Sequence, residues 1–105
     1  MKRIKYSKLV RDNIPEIIEI DGKKAVVKEL NDEEYIEALN LKLEEELQEY
    51  MKFGEIEELA DMVEVIYGIL DYKGVSIEEF NGIRQEKADK RGAFNKRLML
   101  IEVIE

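Results

Sequence analysis

Hydrophobic positions in the middle of the chain recur at spacings of three and four, the period of an amphipathic helix. Tyr35, Ile36, Leu39, Leu43, Leu47 and Tyr50 form one such stripe, which predicts a long helix capped by Asn31 or Asp32 and broken at Gly54. Leu59, Met62, Val63, Ile66, Ile69 and Leu70 form a second, which predicts a helix from about Glu55 to Tyr72 with Gly74 as its stop. With so short a turn between them, the two helices are expected to fold back as an antiparallel hairpin. Ser76 followed by Glu79 is a capping-box pattern for a third helix reaching about Lys90.

The flanks carry shorter signals. Asp12 and Asn13 ahead of Pro15 suit the first turn of a short helix that runs through about Ile20 and ends at Asp21-Gly22. Val26 and Val27 make Ala25–Leu30 read as a β segment, and Arg97–Ile104 reads as a closing strand that pairs with it. The expected fold is therefore mainly α: one domain over residues 1–105, an antiparallel helical bundle with a small β hairpin. No repeat or linker divides the chain. A hairpin of two amphipathic helices cannot enclose its own apolar faces, so a homodimer or homotetramer built as a four-helix bundle is expected.

Composition narrows the chemistry. With no cysteine and no histidine, thiol and Ser-His-Asp catalysis, zinc fingers and haem ligation are excluded, and any metal must sit among oxygen ligands. Such a site suits a hard cation: Mg²⁺, Mn²⁺ or Ca²⁺. A net charge of −8 argues against nucleic acid or an anionic membrane surface as partner. No apolar run approaches a membrane span, and the basic start lacks the apolar centre of a signal peptide, which predicts a cytoplasmic protein.

Four carboxylates stand out against that background. Glu46 and Glu49 are three apart on the first long helix, as are Glu58 and Asp61 on the second, so each pair projects on neighbouring sides of its helix. Residues equidistant from the Phe53–Gly54 junction face each other in an antiparallel hairpin, which sets Glu49 opposite Glu58 and Glu46 opposite Asp61. On a helical wheel Glu46 and Glu58 border the apolar seam, whereas Asp61 lies roughly 140° from the centre of its stripe and needs a covered or cleft-like outer side. Glu45 points away from the stripe and is a weaker candidate. Spacing alone leaves two readings open: a solvated acidic surface, or a metal site whose crowded carboxylates require a cation.

Here the sequence resembles a known family. The pattern K-L-x-E-E-x-x-E, at Lys42, Leu43, Glu45, Glu46 and Glu49, followed by E-x-x-D at Glu58 and Asp61, is similar to that of the MazG-like all-α NTP pyrophosphatase superfamily. K-L-V-R-D-x-I-P at Lys8 to Pro15, and Lys90 to Phe94 beside the family's K-R-G-G-F, resemble its house-cleaning branch. Two departures are visible: Tyr50 to Glu57 is a shorter turn than in most of the superfamily, and Ala93 replaces the second glycine of the closing motif.

The resemblance implies Mg²⁺, with Mn²⁺ as the alternative, held by Glu46, Glu49, Glu58 and Asp61, and a nucleotide substrate hydrolysed to the monophosphate and pyrophosphate. Glu46 or Glu49 would be the general base. A triphosphate brings about four negative charges, only part of which one dication offsets, so Lys8, Arg11, Lys42, Lys90 and Arg91 are the candidate substrate-binding cations. Tyr6, Tyr67 and Phe94 could stack on a base, but aromatic residues at such positions more often belong to the core. Two rival readings accompany this one: an enzyme resembling phosphoribosyl-ATP pyrophosphohydrolase, and a non-catalytic helical oligomerisation module.

Overall fold

The computed structural model describes residues 2–105 and contains four helices: α1 (Ile14–Ile20), α2 (Asp32–Phe53), α3 (Ile56–Lys73) and α4 (Ile77–Arg91). The helix starts follow the caps in the sequence. Asn31 accepts the Glu34 N–H at 2.9 Å while Glu34 Oε1 accepts the Asn31 N–H at 3.3 Å, a reciprocal box reinforced by three acids in the first turn of α2. Ser76 Oγ accepts the Glu79 N–H at 3.1 Å at the start of α4. Gly54 ends α2 in the left-handed region, at φ 69°, where a side chain would be strained. Glu55 holds the N-cap position of α3 without a side-chain cap bond, leaving a two-residue turn that forces α3 back along α2.

Three contacts fix the register of that hairpin. The Tyr35 and Tyr72 rings meet edge to face with centroids 6.1 Å apart. Leu39 packs on Gly68, where an added Cβ would lie 3.0 Å from Leu39 Cδ2. Glu46 and Asp61 bring carboxylate oxygens together nearer the turn. Each pair is equidistant from the Phe53–Gly54 junction, as the antiparallel reading requires.

The face of α3 that meets α2 is not the centre of its apolar stripe. Asp61, Val65, Gly68 and Tyr72 share the inner side by helical spacing, whereas Leu59, Val63, Ile66 and Leu70 lie far round the axis. Ile56, Leu59 and Val63 are consequently exposed at 76%, 37% and 43%. Among the described residues only Leu39 and Leu70 are buried apolar side chains. The radius of gyration is 18.6 Å against about 13 Å for a compact chain of this length, and the extents are 67 × 32 × 24 Å. One chain is thus an open hairpin with α4 packed on α3, not a closed bundle.

The β hairpin expected from Ala25–Leu30 and Arg97–Ile104 is absent among the described residues, where neither segment carries strand pairing. Both run without regular structure, and Val26, Leu98, Ile101 and Ile104 are more than four-fifths exposed. Local β propensity makes a strand only where a neighbouring backbone accepts its hydrogen bonds, and among the described residues neither segment has such a partner. Among the described residues, no helix is long and apolar enough to cross a membrane.

Candidate metal centre

Register places the acids; burial distinguishes them. Glu46 lies on the α3-facing side of α2, two turns from Leu39, and is only 5% exposed. Its Oε1 lies 3.4 Å from Lys42 Nζ, one turn back on the same helix. Its Oε2 is buried and has no hydrogen-bond partner. An orphaned carboxylate oxygen in a buried setting is costly and calls for a cation. Glu58 and Asp61, both half-buried, face it from α3, and each of the three residues offers one carboxylate oxygen within 4.8 Å of the others. Opposite ligands around one hard cation are about 4–5 Å apart, so the three oxygens are spaced to share an ion.

Glu49 stands outside that trio of oxygens but inside its field. Burial raises the Glu46 carboxyl above the usual range, followed by the negative charge of Glu49; Lys42 pulls the other way and Asp61 adds to the rise. Glu58 is also raised, by desolvation first and then by Glu49, Asp61, Glu55 and Glu57. Two carboxylates that resist ionisation beside two others are the electrostatic signature of a site short of positive charge.

The cations divide into two groups. From the segment before α1, Arg11 Nη2 donates to Asp61 Oδ1 at 2.7 Å, and Lys8 Nζ donates to Glu45 Oε1 at 3.2 Å. Lys42, 19% exposed, reaches Glu45 Oε2 at 3.3 Å as well as Glu46. Burial works to raise the Glu45 carboxyl, but the bonds from Lys8 and Lys42 outweigh it and hold the group below the usual range. Glu45, weak by wheel position, is therefore the anchor of Lys8. Lys42 is a counter-ion of the two glutamates it precedes by three and four residues, a pairing its sequence spacing already carried.

Lys90 and Arg91 are not brought to the acids. Lys90 bonds Glu86 at 3.0 Å on its own helix, and Arg91 sits beside it at the end of α4. Among the described residues neither forms an ion pair with Glu46, Glu49, Glu58 or Asp61. The structural residue that periodicity missed is Gly68. Its mid-helix position, opposite a leucine equidistant from the turn, was the available signal.

Comparison with known proteins adds little identity. No family model and no solved structure matches the chain. A stretch of 43 residues, 41% of the chain, is 49% identical to an uncharacterized protein of Mycolicibacterium smegmatis and takes in 44% of that protein's length. The chain thus matches less than half of that relative.

Proposed function

We propose that the protein is a Mg²⁺-dependent nucleoside triphosphate pyrophosphohydrolase of the MazG-like all-α type, acting on ordinary or damaged nucleotides. The observation that carries this reading is the buried, unpartnered Oε2 of Glu46 within a trio of carboxylate oxygens, bordered by Arg11 and Lys8. Glu46, Glu58 and Asp61 would hold the ion, and Glu49 would join them or serve beside them. When bound, the metal supplies charge neutralisation and polarises a phosphoryl group.

The remaining work falls to side chains of this chain. A metal held by carboxylates activates water directly and needs no side-chain nucleophile, so in this reading the attacking group is water. Glu49, outside the trio, has an oxygen free to take the proton of that water as it attacks the α-phosphorus, and the bond from that phosphorus to the α–β bridging oxygen breaks. Arg11 and Lys8, on the solvent side of the acids, would take up the charge of the departing pyrophosphate. Oligomerisation through the exposed stripe of α3 would complete the bundle.

A screen of ordinary and damaged triphosphates, read as released pyrophosphate with and without chelator, tests the reading and separates it from a phosphoribosyl-ATP-type specificity. Chelator-sensitive release that Asp61→Asn abolishes is expected. A second reading, a non-catalytic oligomerisation module, draws on the exposed Ile56, Leu59 and Val63; it requires both association and indifference to metal.

A further inference from the structure

We propose that Arg11 is a tethered counter-ion that Asp61 surrenders when substrate arrives, so that the site takes a metal–nucleotide complex in preference to the free ion. This rests on the pyrophosphohydrolase reading and adds to it the form in which the ligand enters. Arg11 Nη2 lies 2.7 Å from Asp61 Oδ1, and Asp61 is one of the three residues whose oxygens converge on the candidate ion position. A dication arriving alone meets a fixed positive charge already bonded to one of its ligands. It must displace the guanidinium or bind against its repulsion, at a cost of about tenfold in affinity for charges a few ångströms apart in a water-like dielectric.

A dication arriving on a triphosphate removes that conflict, because it brings the anion to which the guanidinium can move. The planar fork of Arg matches phosphate oxygens in a two-point contact, which a single carboxylate oxygen at Asp61 does not provide. The side chain is free to make the exchange, being 56% exposed, while its backbone is held. The Arg11 carbonyl accepts the Ile14 N–H at 3.1 Å in the turn that opens α1, and Pro15 stiffens the first turn of that helix. The guanidinium therefore pivots from a fixed point. Lys8 repeats the arrangement on Glu45 at 3.2 Å, with its ammonium also feeling Glu49 and Glu46.

The test measures two affinities on the full chain: Mn²⁺ alone, by the paramagnetic signal of the unbound ion, and Mn²⁺ with an α,β-methylene nucleoside triphosphate. Arg11→Gln should tighten the free ion about tenfold and weaken the nucleotide complex, two shifts of opposite sign. Arg11→Lys should keep the wild-type affinity for the free ion, and Lys8→Gln should move both in the directions of Arg11→Gln by less. If Arg11 merely positions Asp61, Arg11→Gln weakens both forms, and the proposal is overturned; unchanged affinities, or a shift in one form alone, overturn it equally. Wild-type protein that binds Mn²⁺ in neither form removes the metal site and the pyrophosphohydrolase reading with it. Loss of Mn²⁺ in Glu46→Gln, with Arg11→Gln inert, removes the exchange alone.

Discussion

Replacing Glu46 with glutamine should stabilise the metal-free protein and make it less able to use metal. The wild-type carboxylate is 5% exposed, has one oxygen 3.4 Å from Lys42 and leaves the other without a partner. Glutamine removes the buried charge and supplies an N–H donor towards the carboxylates of Glu58 and Asp61. Relieving an unsatisfied buried group is worth about 1–3 kcal/mol and losing the attraction to Lys42 returns part of that, so we predict a net gain of about 1–2 kcal/mol at neutral pH. For a domain of this size that is a rise of roughly 5–10 °C in Tm.

The gain must depend on pH with a definite sign. Below the ordinary glutamate value of 4.5 the group is protonated in both folded and unfolded chains, and wild type and variant should coincide. As pH rises the unfolded chain ionises first while the folded protein, its carboxyl raised by burial and by Glu49, holds its proton. Wild-type stability therefore falls from that point and settles only above the folded value, whereas the amide does not titrate. Thermal unfolding in chelator from pH 4 to 8 should show the gap opening with pH. Saturating Mg²⁺ should reverse the order, since ion at about a hundred times its Kd adds about 2.7 kcal/mol to whichever protein binds it. A variant less stable than wild type in chelator at pH 7, or a gap independent of pH, would refute the reasoning.

Glu58→Gln and Asp61→Asn are expected to weaken Mg²⁺ at least tenfold by calorimetry, while Glu44→Gln, on an exposed face of α2, leaves it unchanged; equal effects at all three defeat the site assignment. Gly68→Val should cost about 1–3 kcal/mol of stability, because its side chain meets the buried Leu39, and should weaken Mn²⁺ by separating Glu46 from Asp61. Wild-type stability and Mn²⁺ affinity in that variant would show that the hairpin does not depend on this close approach. Light scattering at micromolar concentration should exceed the monomer mass of 12.4 kDa, and an active monomer would contradict the role given to the exposed stripe of α3.

The helices and their register were legible in the sequence because their signals are local. Asn31, Ser76, Gly54 and Gly74 mark helix ends by their own backbone chemistry, and a two-residue turn leaves α3 little choice of direction. The meeting of Glu46 with Asp61 followed from equal distance to the turn. The wheel placed Asp61 too far from the seam, because α3 is apolar over so wide an arc that the stripe's centre does not reveal which side faces α2; that side is set instead by Gly68 admitting Leu39. The strands failed for a different reason. Val26 and Val27, like Leu98 to Ile101, satisfy strand composition, but pairing depends on a second backbone that no local pattern specifies. The links from Lys8 to Glu45 and from Arg11 to Asp61 were equally out of reach, since they join the N-terminal segment to helices many residues away.

The central claim is that water attacks the α-phosphorus of a triphosphate at this cluster, and turnover in ¹⁸O-labelled water tests it most directly. With Mg²⁺ present, mass spectrometry should find one ¹⁸O in the nucleoside monophosphate and none in the pyrophosphate released with it. Chelation, or Asp61→Asn, should suppress both products. Nucleoside diphosphate with labelled inorganic phosphate, or turnover that survives chelation, would contradict the account.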